Sequence, residues 1–218
     1  MNGELSPYAQ TEARTEILAR VGAALTDRPA PAEIHRDYDT ARVYEDLLGL
    51  ACERIEDYQA LVTRVSAAEL PKRIVETLAQ RAARRVVAPP GLPQEWQATG
   101  GSDAFTWLAD RPPLTVAELD GADAVLTGCA VVIAETGTIV LDAGPGQGRR
   151  ALTLLPDYHL CVAYASQVVA TVPQAMARLS PSRPLTFVSG PSATSDIELE
   201  RVEGVHGPRT LDVLLVED

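Results

Sequence analysis

The run from Val125 to Ala143 constrains this chain more than any other stretch. It is almost wholly apolar and rich in β-branched residues; one carboxylate, Glu135, sits in its middle and a second, Asp142, near its end. Two segments of strand length flank the Ala-Glu-Thr-Gly-Thr interruption: Val131–Ala134 and Thr138–Leu141. Unbroken apolar strands are usually covered on both faces of their sheet. A carboxylate between two such strands is costly unless it is paired or lies in a cleft. Thr136 and Thr138 place hydroxyls beside it, and Gly137 permits a sharp turn or a close approach to a ligand. Two readings follow: a site built around Glu135, or a β-turn whose acid points into water.

The rest of the chain alternates helical and strand patterns. Ile17, Val21 and Leu25 recur every four residues and predict a helix over 11–25; residues 26–40, with Pro29 and Pro31, read as a linker. Val43, Leu47, Ala51 and Ile55 predict a helix over 41–58, followed by a short strand at Ala60–Val65. Leu70, Ile74 and Leu78 predict a further helix, with Ser66 as its cap, and Arg84–Ala88 a strand stopped by Pro89. Strand, helix, strand is the order of a parallel α/β unit. A short helix, a turn and another short element are expected within 91–113, and a brief helix near Val116–Leu119. Later strands are expected at His159–Tyr164, Leu185–Ser189 and Leu211–Val216, with a helix over 172–179.

Three polar passages punctuate this pattern. Gly144-Pro145-Gly146-Gln147-Gly148-Arg149-Arg150 follows a strand, but its glycine spacing is wrong for a dinucleotide fingerprint and Pro145 removes a donor. It reads either as a loop offering Arg149 or Arg150 to an anion or as a plain solvated loop. Ser189 through Glu198 runs from a strand through Gly190-Pro191 into a hydroxyl-rich segment read as a helix start. There Ser192, Thr194 and Ser195 would meet an anion, or Ser195 and Glu198 would form an ordinary capping box. Gly204 through Arg209 holds His206, which is either a proton carrier near neutral pH or simply a loop histidine.

Composition excludes several classes. The net charge of -11 argues against nucleic acid and anionic membrane surfaces as partners. The cysteines, Cys52, Cys129 and Cys161, form no Cys-x-x-Cys pair, so neither a disulfide framework nor a metal or iron–sulfur site made by this chain alone is expected. Cys129 and Cys161 lie in apolar runs and read as small core residues. Outside the central run no stretch of about 18 apolar residues suggests a membrane span, and the N-terminus lacks a secretory pattern. A cytoplasmic location is expected.

The combination Ala134-Glu135-Thr136-Gly137-Thr138, Ser189 through Glu198 and Gly204 through Arg209, in that order with Leu155-Pro156 between, resembles the lactate-utilisation (LUD) domain family, in particular its C-type members. The resemblance covers roughly residues 40–216, and the Arg36-Asp37-Tyr38 cluster is also similar to the family. It implies an α/β fold with a Rossmann-like, largely parallel sheet of the sugar-phosphate isomerase and CoA-transferase type. On that basis residues 1–40 would be an N-terminal helix and linker arm, and residues 41–218 the LUD-type domain.

It also implies a role in oxidising L-lactate to pyruvate beside iron–sulfur and oxidoreductase subunits. This chain would be the cluster-free accessory or ligand-binding component, without a cofactor of its own. CoA transferases of similar fold use a glutamate in a Glu-Asn-Gly-like turn; here Thr136 replaces the asparagine. Acyl transfer through Glu135, or sugar-phosphate isomerisation with Glu135 or His206 moving a proton, are therefore the alternatives. The expected site gathers Glu135, Ser192, Thr194, Asp196, His206 and Arg209 in one cleft at the carboxyl ends of the parallel strands. Thr136, Gly137, Thr138, Arg149, Gly190 and Ser195 would line it, and a small carboxylate or phosphate would be its ligand.

Overall fold

The computed structural model describes residues 7–26, 32–98, 105–194, 202–203 and 207–217; for 7–11, 98, 193, 194, 202 and 203 it describes the backbone alone. The chain divides into two compact units, Met1–Tyr38 and Asp39–Asp218. The first contains helix α1 (Pro7–Ala24), which starts earlier than its apolar spacing suggests and leaves Ile17, Leu18 and Val21 exposed.

The second unit begins with α2 (Leu47–Asp57), β1 (Leu61–Ser66), α3 (Leu70–Gln80), β2 (Arg85–Ala88), α4 (Glu95–Ala98), β3 (Thr106–Ala109), α5 (Val116–Asp120) and β4 (Ala124–Thr127). It continues with β5 (Val131–Ile133), β6 (Thr138–Leu141), β7 (Tyr158–Tyr164), β8 (Val168–Val169), α6 (Val172–Arg178), β9 (Thr186–Val188), β10 (Ala193–Thr194), β11 (Val202–Glu203) and β12 (Thr210–Glu217). Asp46 caps α2 through Gly49 N, 2.8 Å away. Ser66 does not cap α3; its hydroxyl donates to the Glu69 carboxylate, and Pro71 in the first turn fixes the helix start.

Six strands form a wholly parallel sheet in the order β1-β12-β7-β4-β2-β3. Side chains alternate strictly across it. Leu126, Leu160, Val162, Leu214 and Val216 face α3, whose Leu70, Ile74 and Leu78 are fully buried against them. Cys161, Ala163, Leu211, Val213 and Leu215 face the other way, onto Ala51 and Ile55 of α2 and onto Cys129, Val132 and Ile139. Those last two come from a second sheet, of order β8-β5-β6-β9, in which β5, β6 and β9 pair antiparallel. Its opposite face, through Val131, Ile133 and Val140, is covered by Ala175 and Leu179 at α6. The two apolar runs around Glu135 are thus buried on both faces as expected. They form an antiparallel hairpin in a second sheet rather than strands of the parallel one.

A polar clamp ties α3 to the parallel sheet. Arg81, just past the end of α3, donates twice to the buried Asp212 of β12, at 3.0 and 2.8 Å. Tyr158 of β7 donates its hydroxyl to the same carboxylate at 2.9 Å, and the Arg81 guanidinium lies 5.7 Å from the centre of its ring. Burial beside that carboxylate raises the Tyr158 pKa, so the phenol stays protonated. Asp212→Ala would strand the phenol and half-strand the guanidinium. It is expected to cost about 2–4 kcal/mol in urea unfolding, the range for removing one partner of a buried charge network with one exposed edge.

Candidate functional site

The hairpin between β5 and β6 closes through a 3-10 turn at Ala134–Thr136 and then Gly137, whose φ of 58° is left-handed. A Cβ on Gly137 would lie 2.3 Å from Arg54 O and 2.8 Å from Ile55 N, so only glycine lets the hairpin tip rest on α2. This contact places Glu135. Its backbone N–H donates to Ala170 O at 3.1 Å. Its Oε1 accepts from the Tyr44 hydroxyl at 2.6 Å and from Arg42 at 3.2 Å, and Arg42 also reaches Asp39 at 3.0 Å. The acid is therefore engaged, with its side chain only 24% exposed. Thr171 Oγ1 donates to Thr40 O at 3.2 Å, which fastens the same entering segment beside Glu135.

A cavity of about 230 Å³ lies where Thr153–Leu154 lead into β7 and Gly207–Pro208 into β12, with β9 and Ser189 through Ser192 along its side. It therefore sits at the amino ends of β7 and β12, not at the carboxyl ends expected from the sequence. Gly190 is buried here at φ 80°, where a Cβ would meet Tyr58 O at 2.5 Å. This explains the tight Gly-Pro step. Directly after it Ala193–Thr194 pair antiparallel with Val202–Glu203, and the helix start expected from Ser195 to Glu198 lies outside the described residues. The main chain of Ser192 donates to Pro208 O at 2.8 Å, which joins the two polar passages read from the sequence.

The cavity's chemistry is specific. Among its described lining residues Arg150 is the cation and none is a carboxylate. Arg150 donates to Thr186 Oγ1 at 3.1 Å. His159 lies 2% exposed at the inner wall and shares a 2.7 Å hydrogen bond between Nε2 and Thr127 Oγ1. Burial pushes its pKa down to about 4, so the imidazole is neutral at physiological pH. Thr153, Thr186, Ser189 and Ser192 bring four hydroxyls to the walls. Among the described residues one cation, no anion, a neutral imidazole and several hydroxyls suit a small singly charged ligand with a further oxygen to hydrogen-bond.

A chain of hydroxyls connects the cavity to the acidic turn. Ser189 Oγ and Thr138 Oγ1 lie 2.8 Å apart, and Thr138 Oγ1 and Thr136 Oγ1 2.7 Å apart. Glu135 does not line the cavity. The structure thus brings Thr138, Gly190 and Ser192 together, reaches Glu135 through Thr136, and leaves two expected anion binders elsewhere. Arg209 precedes β12 and pairs with Asp157 through two 2.7 Å bonds, also at the amino ends of the strands. Arg149 makes a two-pronged pair with buried Asp110 at 2.9 and 3.0 Å and also donates to Leu114 O. The glycine loop before it is no phosphate cradle. The N–H groups of Gly144, Gly146, Gln147 and Gly148 go to Asp142, Pro90 O and Gly144 O. Ser195, Asp196 and His206 lie outside the described residues, as does the side chain of Thr194.

Sequence reasoning missed Arg42, Tyr44 and His159 as functional candidates. The first two carry no local spacing signal, because they meet Glu135 from more than ninety residues away. His159 did carry one: a histidine in a run of otherwise apolar strand residues has to find a buried partner.

The buried neutral imidazole makes a pH prediction. The unfolded histidine gains a proton as pH drops below its ordinary value of 6.5, whereas the folded one resists until about 4. The folded pKa is depressed, so its stabilising effect is complete above pH 6.5 and is lost as pH falls through that window. Unfolding measured at pH 7 and pH 4 should show the parent chain losing about 3 kcal/mol more than His159→Gln, which cannot titrate.

Residues 50–216 match the LUD domain family. The chain is 49% identical to a lactate utilization protein C of Deinococcus radiodurans over 94% of its length and 96% of that protein. It is 28% identical to a lactate utilization protein C of an Exiguobacterium species over 94% and 96% of the two chains. The crystal structure of a DUF162 family protein from Deinococcus radiodurans superposes with a TM-score of 0.66 at 49% identity, covering 79% of this chain and 97% of that one. With these matches running through the hairpin, the cavity and both sheets, the chain belongs to the LUD domain family.

Proposed function

We propose that this chain acts in the utilisation of L-lactate as a cluster-free, ligand-binding component, working beside iron–sulfur and oxidoreductase subunits in the cytoplasm. The observation that carries the reading is its near full-length identity of 49% with a protein named lactate utilization protein C. The cavity is consistent with it: about 230 Å³, one arginine, hydroxyls and a neutral imidazole accommodate a small hydroxy or oxo acid. Arg150 holds the carboxylate, and the hydroxyls and His159 meet the second oxygen. Among the described residues no helix is long and apolar enough to cross a membrane.

Glu135 acts as a positioning residue in this reading. Its Oε1 accepts from both a phenol and a guanidinium, which occupies that oxygen and blunts it as a nucleophile. Acyl transfer through Glu135 is the reading this disfavours. Incubation with acyl-CoA and borohydride should leave the residue unmodified.

The test is genetic and then physical. Deletion of the gene should abolish growth on L-lactate, and the parent chain should restore it. In a thermal-unfolding assay, L-lactate or pyruvate at a hundred times its dissociation constant should stabilise the chain by about 2.7 kcal/mol. Arg150→Ala should weaken that binding about ten- to a hundredfold, the cost of losing a hydrogen bond to a charged group. Unimpaired growth of the deletion strain would remove the lactate assignment.

A further inference from the structure

A second concavity lies at the other end of the parallel sheet. Just past the carboxyl ends of β2 and β3, Pro90, Gly91, Asp110 and Arg111 are shared by two adjoining depressions of about 490 and 310 Å³. The larger is walled by the glycine loop from Ala143 to Arg149, the smaller by Leu92, Gln94 and Gln97. The carboxyl ends of parallel strands are where open α/β sheets bind ligands. Each depression exceeds the 230 Å³ cavity, so this groove suits a longer molecule than a small acid.

Its charge is unlike that of the protein as a whole. The chain carries a net charge of -11, yet among the described residues the groove holds two guanidiniums, Arg111 and Arg149, against one carboxylate, Asp110. That carboxylate is already saturated. It takes both prongs of Arg149 and the N–H of Leu114 at 2.8 Å. Arg111 sits next to it in sequence, exposed, with no ion pair or hydrogen bond among the described residues. The main-chain N–H groups of the glycine loop are consumed internally, so an anion here has to be met by a side chain. Arg111 lines both depressions, and Gln94 and Gln97 line the smaller one.

We propose that this groove is a second ligand site, separate from the cavity, taking a phosphorylated ligand of nucleotide size with Arg111 on the phosphoryl group. Gln94 and Gln97 hydrogen-bond the part of the ligand that extends beyond it. The Arg149–Asp110 pair fixes the wall from which Arg111 projects.

The test is calorimetric titration of the full chain with ADP, AMP and orthophosphate at one fixed ionic strength. ADP should bind, and orthophosphate should bind more weakly than either nucleotide. Arg111→Ala should weaken ADP binding about ten- to a hundredfold while leaving the unfolding midpoint unchanged. Gln97→Ala should weaken ADP but not orthophosphate. Arg150→Ala, which alters the cavity, should leave ADP binding as it is, so the lactate reading can fail without touching this one. The proposal is overturned if ADP does not bind at millimolar concentration, if Arg111→Ala binds it as tightly as the parent, or if orthophosphate binds as tightly as ADP.

Discussion

Gly137 touches the backbone of Arg54 and Ile55 so closely that a methyl group would stand 2.3 Å from a carbonyl oxygen. That contact seats the β5–β6 hairpin on α2, and much of the second unit follows from it. The inner face of the hairpin, through Val132 and Ile139, closes the core over β7 and β12. Its outer face recruits α6. β9 then adds to the free edge of β6, which brings Ser189 and Gly190 to the amino ends of the parallel strands. A larger residue at 137 would lift the hairpin and open both the apolar core and one wall of the cavity.

The same seating separates charge from cavity. The carboxylate at the hairpin tip turns toward Arg42 and Tyr44 and away from the space lined by Arg150 and His159. Asp157, just ahead of β7, is likewise occupied by Arg209. What remains inside is one guanidinium facing hydroxyls and an imidazole that burial keeps neutral. Among the described residues a site so arranged attracts a single negative charge and offers no strong base to react with it. Binding and presentation therefore fit it better than acid–base chemistry performed by the cavity's own described groups.

The periodic parts of this fold were legible in the sequence because burial imposes periodicity. Leu70, Ile74 and Leu78 mark α3, and the apolar runs mark β5, β6, β7 and β12. Which sheet a run joins was not legible. A strand covered by α6 on one side and by a parallel sheet on the other has the same composition as a strand inside a parallel sheet. The segment after Gly190-Pro191 read as a helix start because Ser and Thr serve caps and turns alike, and pairing with Val202–Glu203 is a long-range fact. Arginine roles were least legible. Arg149 and Arg209 find their carboxylates 39 and 52 residues away, and no local pattern announces such partners. The family motifs do not meet in one pocket: Glu135 turns to Arg42 and Tyr44, and Arg209 to Asp157.

Arg149 and Arg150 show how one dipeptide serves two ends of the molecule. Arg149 has extended backbone, with φ -77° and ψ 153°, and Arg150 opens a 3-10 turn. Successive side chains on extended backbone point opposite ways. One guanidinium accordingly runs to Asp110 in the groove beyond β2 and β3, and the next to Thr186 in the cavity beside β7 and β12. The Asp110 pair is the better anchored, since its carboxylate is buried and also holds the chain at Leu114. Arg150 therefore borrows its position from Arg149: the buried pair fixes where the 3-10 turn begins, and with it the angle at which the cavity's cation enters.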